Sequence, residues 1–174
     1  MDDPILLSQI VVRLARSADL SALEWGGEFI HFRRLYADVY RNYLAGKALM
    51  WIVEHPDEGV IGQAFVSLES GRPELSNGVD RAYIYGFRVK PAYRNRGVGA
   101  VVLRTIEKDL LARGYQIITL NVARENLKAQ RLYSRLGYQV VAEEAGRWSY
   151  VDHLGKLREV NEPAWRMEKV LRKI

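Results

Sequence analysis

The sequence predicts an α/β (α+β) fold built on one mixed sheet of about seven strands flanked by helices. Strand-like and helical runs alternate as β-α-β-α-β from about residue 81 to residue 142, a pattern typical of parallel strands joined by crossover helices. Strand-like runs before and after this block extend the sheet. No linker, repeat or low-complexity tract interrupts the 174 residues, so we expect residues 1–174 to form a single domain.

Three strands and two helical stretches are predicted in the part of the chain that precedes that block. We expect a first strand over residues 6–15, and then a helix that opens at Ser21 with a capping-box sequence and is interrupted by Trp-Gly-Gly. A second helical stretch covers residues 31–44. Strands over residues 49–54 and 60–68 flank a turn with the sequence Pro-Asp-Glu-Gly at residues 56–59, which is typical of a hairpin.

A glycine-rich basic turn joins the strand-like run 83–89 to the helical run 98–113. The residues of the turn are Arg94, Asn95, Arg96, Gly97, Val98, Gly99 and Ala100. The first backbone N–H groups of a helix lack internal partners and carry the positive end of the helix dipole. Glycine lets a phosphate approach that backbone, and arginine adds permanently charged donors. The turn is therefore a candidate anion site, although an ordinary tight turn would use the same glycines.

This turn differs from both familiar nucleotide-binding loops. The P-loop sequence Gly-x-x-x-x-Gly-Lys-Ser/Thr does not occur in the chain. A dinucleotide fingerprint requires glycine at the third position after Gly99, where Val102 stands. We therefore expect a different phosphate-bearing ligand.

A second amphipathic helix follows the next strand. The helix over residues 98–113 ends in a basic residue that is followed by a glycine. An apolar strand then covers residues 116–122. Residues 126–137 then repeat apolar side chains at helical spacing. The polar segment 143–163 is long enough to predict a function or a short structure of its own, with a hairpin turn at residues 152–156. A last strand covers residues 164–171.

Together these motifs resemble the GNAT superfamily of N-acetyltransferases. The matching residues are Val89, Lys90, Pro91, Arg94, Gly97, Gly99, Ala100, Asn126, Ala129, Leu132, Tyr133, Leu136, Gly137 and Tyr138. The resemblance covers about residues 81–142, and the flanks fit the same layout. It implies a sheet whose central parallel strands splay apart at a bulge. Gly86 stands where that bulge belongs, and a glycine inside a strand independently indicates a bulge or a local packing need.

The resemblance also implies acetyl-CoA as co-substrate, with direct transfer of its acetyl group to a primary amine of a small molecule or protein. Residues 94–100 resemble the loop that binds the pyrophosphate. The strand edge that pairs with the pantetheine arm is matched by the backbone of Phe87, Arg88 and Val89. Asn126 resembles the side chain that reaches the pantetheine or acetyl end. Tyr133 resembles the catalytic tyrosine that protonates the departing thiolate.

Helical spacing alone gives two of these residues plainer roles. Tyr133 lies on the apolar face of its helix, so it fits a core aromatic equally well. Asn126 fits an N-cap, and one residue can serve both purposes.

The sequence does not identify a general base. Many members of the superfamily place a glutamate on the strand that leads into the phosphate loop, but this chain has Tyr-Ile-Tyr at residues 83–85. A water relay, a backbone carbonyl, or one of the carboxylates of Asp152, Glu69 and Glu28 are the options that stay open.

Charge is concentrated where the phosphates of CoA would lie. The net charge is +5, but residues 86–135 alone carry a surplus of eight positive charges. A nucleic-acid-binding protein would also be basic. The surplus surrounds the glycine-rich turn, however, and the sequence has no helix-turn-helix, zinc-finger or RNA-binding signature, so we expect no nucleic-acid partner.

Composition argues against several other classes. The chain has no cysteine, which excludes disulfides and an acetyl-cysteine intermediate, and its three histidines lie far apart. We expect no metal site. No apolar run approaches the ~18 residues that span a membrane, and the acidic start lacks the basic region of a signal peptide. We therefore expect a cytoplasmic protein without a membrane partner; a homodimer stays open.

The acceptor is the least determined part of the reaction. We expect residues 19–46 and 143–163 to lie on the acceptor side, where their aromatic residues either line a pocket or cap the core. The five acidic residues of the second segment would suit a cationic amine, such as a polyamine, an aminoglycoside-like compound or a protein N-terminus. A non-catalytic acyl-CoA sensor is the alternative function; the missing strand glutamate favours it slightly, and the presence of Tyr133 opposes it.

Overall fold

The computed structural model describes residues 1–172. The strands are β1 (Val11–Leu14), β2 (Ala48–His55), β3 (Gly59–Ser67), β4 (Arg81–Val89), β5 (Ile117–Ala123), β6 (Gln139–Glu144), β7 (Arg147–Val151), β8 (Leu157–Asn161) and β9 (Ala164–Val170). The α-helices are α1 (Pro4–Gln9), α2 (Arg33–Leu44), α3 (Val98–Ala112) and α4 (Leu127–Arg135). The 3₁₀ helices are Ser17–Gly27, Ile30–Phe32 and Pro91–Tyr93. Across the described range, each helix is too short or too polar to cross a membrane.

Seven strands form one mixed sheet in the order β1-β2-β3-β4-β5-β9-β6, which confirms the predicted fold class. Neighbouring strands are antiparallel, except that β4 and β5 run parallel and are joined by α3. The last strand, β9, lies between β5 and β6 and pairs with both. The third strand of the predicted β-α-β-α-β run is therefore not adjacent to the second.

A β-bulge at Gly86 separates β4 from β5. Gln63 of β3 pairs with Arg88, whereas Phe65 pairs with Tyr85, so β4 carries an extra residue at this point. β4 and β5 pair only over their first four residues. Gly86 has φ +61°, and a Cβ there would lie 2.5 Å from the Phe65 ring, so this position requires glycine. The predicted bulge and splayed strands are confirmed.

Two apolar clusters cover the two faces of the sheet. Trp51 of β2 belongs to the cluster that packs against α3 through Ile106, while the next residue, Ile52, belongs to the cluster that contains Tyr36 of α2. Successive residues of a strand point to opposite faces, so α2 and α3 lie on opposite sides. The gap between β4 and β5 connects these two sides.

The predicted strand over residues 6–15 is wrong in its first half. That part forms α1, and only its second half pairs in the sheet as β1. The carboxylate of Asp3 accepts a hydrogen bond from the N–H of Leu6 at 3.0 Å, and Pro4 takes the first helical position. An N-cap followed by proline starts a helix even where the following residues are apolar.

The helix predicted to open at Ser21 is also wrong in its start. A 3₁₀ helix begins at Ser17, and the carboxylate of Asp19 accepts the N–H of Arg16 at 2.7 Å. The predicted interruption is confirmed, because Trp25 and the following glycine have positive φ angles of 48° and 70°.

Most of the segment 143–163 forms the hairpin β7–β8, which stands apart from the main sheet. Its turn runs from Asp152 to Lys156, whose carbonyl accepts the N–H of Asp152 at 2.8 Å. The carboxylate of Asp152 also accepts the N–H groups of Leu154 and Lys156, both at 2.9 Å. The predicted turn at residues 152–156 is confirmed.

Candidate active site

The gap between the diverging strands forms a cleft of about 210 Å³. It is bounded by the ends of β4 and β5, the start of α4 and the turn before β9. The lining residues are Ile84, Tyr85, Gly86, Phe87, Arg88, Leu120, Asn121, Val122, Ala123, Asn126, Ala129, Tyr133 and Glu162. Arg88 and Glu162 are the two charged residues of this lining.

The glycine-rich turn starts α3 close to the cleft. Gly97 is the N-cap of α3, with φ +92°, and a Cβ on it would lie 2.8 Å from the Asp2 carboxylate. A Cβ on Gly99 would lie 3.1 Å from Leu132 of α4 and 3.6 Å from Phe87. Backbone conformation and close packing therefore explain both glycines, which differs from our sequence-based reason that glycine clears space for a phosphate. Val98 and Ala100 lie in the first turn of α3, where N–H groups lack helical partners.

The two arginines of the turn bind neighbouring parts of the chain. Arg94 donates from Nε to the carbonyl of Val89 at 2.6 Å. Arg96 donates to the carboxylate of Asp3 at 2.7 Å. The hydrogen bond from the N–H of Leu6, and after it that from Arg96, hold the pKa of Asp3 below its usual range. The N-terminal segment therefore anchors the turn and offsets part of its charge.

A wider pocket of about 660 Å³, here called the α4 pocket, lies between this turn and the exposed side of α4. Its lining residues are Asn95, Leu127, Lys128, Gln130, Arg131, Ser134 and Arg135. Three of them are cations. The surplus of positive charge found in the sequence thus faces a pocket that suits an anionic ligand.

Helix α4 brings two residues to the cleft, Asn126 at its N-cap and Tyr133 nearer its C-terminal end. Asn126 accepts the N–H of Ala129 through Oδ1 at 3.1 Å, so it is the N-cap of α4 as well as a cleft residue. Tyr133 is 9% exposed. Burial, with a smaller effect of Tyr83, raises the pKa of Tyr133 to about 12. Tyr133 therefore keeps its proton at neutral pH, so its hydroxyl is available as a hydrogen-bond donor.

Two stacked tyrosines occupy the part of β4 in which the sequence lacks the glutamate expected from the resemblance. The rings of Tyr83 and Tyr85 are 5.5 Å apart, with 7° between their planes. Burial raises the pKa of each to about 12. A protonated phenol is a poor proton acceptor, so neither is a general base at neutral pH.

The three carboxylates considered as bases are not in the cleft. Asp152 is held in the hairpin turn, where it also accepts a hydrogen bond from Arg158 at 2.9 Å. The N–H of Lys156, above all, and the guanidinium of Arg158 lower the pKa of Asp152 to about 2. Glu28 and Glu69 are not among the lining residues.

Glu162 is the carboxylate residue of the cleft, and sequence reasoning did not single it out. It directly precedes Pro163 and β9. Ala164 of β9 pairs with Ala123 at the end of β5, which brings Glu162 to the opening. Its position just before the last strand could have indicated a cleft residue, but only if the pairing of β9 with β5 had been known from the sequence.

The predicted acceptor-side segments meet in an aromatic cluster beside Arg88. The cluster comprises Trp25, Phe29, Phe32, Tyr36, Trp148 and Tyr150. Phe32 lies 4.9 Å from Tyr150 of β7, measured between ring centroids. Arg88 lies 4.2 Å from the centroid of Phe29 and donates to the hydroxyl of Tyr36 at 3.2 Å. These segments therefore pack against each other on the α2 side of the sheet, where Phe32 and Tyr36 belong to the buried core and Arg88 connects the cluster to the cleft.

Comparison with known proteins agrees with this architecture. The chain is 23% identical over 90 residues to an uncharacterized N-acetyltransferase, YycN, of Bacillus subtilis, and the match covers 52% of this chain and 54% of that protein. The chain thus spans about half the length of this curated relative.

Solved structures of similar fold cover nearly the whole chain. Ard1 from Thermoplasma volcanium has a TM-score of 0.72 at 16% identity, covering 95% of this chain and 99% of that one. The ribosomal-protein-S18-alanine N-acetyltransferase from Escherichia coli has a TM-score of 0.69 at 17% identity, covering 95% and 96%. Spermidine N-acetyltransferase from Vibrio cholerae, in complex with CoA and spermine, has a TM-score of 0.68 at 18% identity, covering 94% of this chain and 96% of that one.

At these identities, structural likeness establishes the fold alone, and membership rests on the sequence. The model of the Acetyltransferase (GNAT) family matches residues 17–138, which is well over half of the chain. The chain therefore belongs to the GNAT family of acetyltransferases.

Proposed function

We propose that this protein is an acetyl-CoA-dependent N-acetyltransferase that transfers the acetyl group directly to a primary amine. The bulge at Gly86 is the observation that carries the proposal, because it opens the sheet beside a helix N-terminus and beside a protonated tyrosine, Tyr133. Similar structures include acetyltransferases named for spermidine and for a ribosomal protein. The acceptor is accordingly a small molecule or a protein.

The residues around the two pockets fit acetyl-CoA. The N–H groups that follow Gly97 and the cations of the α4 pocket would hold its phosphates. The part of β4 beyond the bulge, which has left β5, would pair with the pantetheine arm through residues 87–89. Asn126 would lie near the acetyl end. When bound, acetyl-CoA supplies an activated acyl thioester.

Side chains of the protein must accept one proton from the amine and donate one to the departing sulfur. A primary amine with a pKa of ~10.4 must lose one, which costs roughly 4–5 kcal/mol at neutral pH. Glu162 is the carboxylate of the cleft and takes this role as proton acceptor. Tyr133 holds a proton on its hydroxyl at neutral pH and gives it to the departing sulfur as the C–S bond breaks. The nitrogen loses its second proton as the amide forms, and this proton restores the tyrosine hydroxyl, so that one proton in total is released.

Two measurements test the proposal. Thermal shift with acetyl-CoA, CoA and duplex DNA separates the ligand classes, and we expect stabilisation by the first two only. Thiol release across a panel of amines then separates an enzyme from a sensor. Stabilisation by DNA without stabilisation by acetyl-CoA would refute the proposal, and tight binding without thiol release for any amine would identify the non-catalytic sensor instead.

A further inference from the structure

We propose that the acceptor carries a carboxylate beside its primary amine, and that the guanidinium of Arg88 binds this carboxylate. The inference rests on the proposed transfer reaction and names the substrate class of the same cleft. Arg88 and Glu162 are the charged residues that line the cleft. An acceptor with both an ammonium and a carboxylate matches this pair of opposite charges.

Arg88 both lines the cleft and, within the described residues, has no carboxylate partner. Within residues 1–172, no carboxylate oxygen lies within 4.0 Å of its nitrogens. Two arginines on the same side of the sheet are paired instead: Arg33 with Glu24 at 2.9 Å, and Arg158 with Asp152 at 2.9 Å. A guanidinium at a cleft without a counter-ion is a ready site for an incoming anion.

The guanidinium is also held in place before any ligand arrives. Its carbon lies 4.2 Å from the centroid of Phe29 and 5.1 Å from that of Phe32. Arg88 donates to the hydroxyl of Tyr36 at 3.2 Å, which uses one of its five N–H groups. Burial, followed by the charge of Arg88, lowers the pKa of nearby His31, so His31 adds no positive charge of its own at neutral pH. The planar fork is thus positioned for bidentate binding of a carboxylate.

The acidic residues that suggested a polycationic acceptor are largely engaged elsewhere. Glu144 pairs with Arg72 at 2.8 Å and with Arg166 at 3.1 Å. Asp152 is bound by the turn and by Arg158. This leaves Glu162 at the cleft, enough for one ammonium group.

Acceptor panels with matched pairs test the inference. The panel contains α-amino acids, the corresponding amino-acid amides, and spermidine, with thiol release as the readout. We expect amino acids to be preferred, and Arg88→Gln to lower kcat/KM for them by about 10- to 100-fold, the range expected for a lost charge-assisted hydrogen bond. Any effect on cofactor binding is common to both acceptor classes, so the readout is the ratio of kcat/KM for amino acids to kcat/KM for amides, which should fall by that factor in Arg88→Gln. Arg88→Lys keeps the charge without the fork and should restore part of the loss.

Arg34→Gln is the matched control, because it removes one exposed positive charge from the start of α2. It should leave the preference for amino acids intact. Preference for spermidine or for the amides would overturn the inference while leaving the proposed transferase function standing.

Binding measurements keep the inference testable if no amine in the panel turns over. With CoA present, N-acetyl amino acids should raise the melting temperature of the wild type but not that of Arg88→Gln, and N-acetyl amino-acid amides should raise neither. Equal effects of acids and amides, or no effect of either, would overturn the inference. If Arg88→Gln does not fold, the comparison between wild type and Arg88→Lys decides in the same way.

Discussion

Replacing Gly86 by alanine tests whether the gap between β4 and β5 depends on that residue. Gly86 has φ +61°, and an L-residue in this region costs about 1–2 kcal/mol. Its Cβ would lie 2.5 and 2.8 Å from two atoms of the buried Phe65 ring, and overpacking of this kind costs about 1–3 kcal/mol more. We therefore expect Gly86→Ala to lower the free energy of unfolding by about 2–5 kcal/mol.

Gly59→Ala provides a matched control for the backbone contribution. Gly59 lies at the start of β3 with φ +73°, and a Cβ there would meet no atom within 4 Å. It should lose only about 1–2 kcal/mol. Urea unfolding followed by the fluorescence of the four tryptophans gives both free energies. Calorimetric titration with acetyl-CoA, at a temperature where both variants are folded, should show weaker binding for Gly86→Ala alone.

Two results would refute this reasoning. Equal losses of stability in the two variants would show that alanine at position 86 does not press on Phe65. Wild-type affinity for acetyl-CoA in folded Gly86→Ala would show that the bulge does not create the binding cleft.

Three further substitutions probe the proton donor, the α4 pocket and the hairpin. Tyr133→Phe should lower kcat with little change in acetyl-CoA affinity, whereas Tyr138→Phe, which loses a hydrogen bond to a glutamate, should lower the melting temperature and keep turnover; unchanged thiol release in the first would remove that tyrosine from the mechanism. Arg131→Gln should raise KM for acetyl-CoA and flatten its salt dependence, while Arg104→Gln, on the exposed face of α3, should do neither, and equal effects would argue against the α4 pocket. The pKa of Asp152 is depressed from 3.8 to about 2, so its contribution to stability is present above about pH 4 and is lost as pH falls towards 2; proteolysis of the hairpin should rise across that window, and Asp152→Asn should be sensitive at every pH.

Features with a local sequence signal were predictable, and pairings between distant segments were not. Gly86 leaves its mark as a glycine inside a strand, and the hairpin turn at residues 152–156 has its own composition, so both were found. The position of β9 between β5 and β6 depends on contacts such as Ile117 with Val170, which leave no local trace. At the N-terminus a local signal exists, because Asp3 followed by Pro4 starts a helix, but the strand prediction was based on the apolar run alone.

Charge shows most clearly why the acceptor could not be derived from the sequence. The segment 143–163 counts as acidic, yet Glu144 and Asp152 are bound to arginines, so they offer little attraction to a ligand. Conversely, Arg88 belongs to a basic stretch assigned to the phosphates, but its side chain lies among the aromatic residues on the α2 side. The field in the cleft depends on the charges that remain unpaired there, since paired charges largely cancel at a distance. Among the cleft-lining residues of the described chain those are Arg88 and Glu162, and their opposite signs are the basis of the zwitterionic acceptor proposed above, in place of the cationic one that residue counts alone would favour.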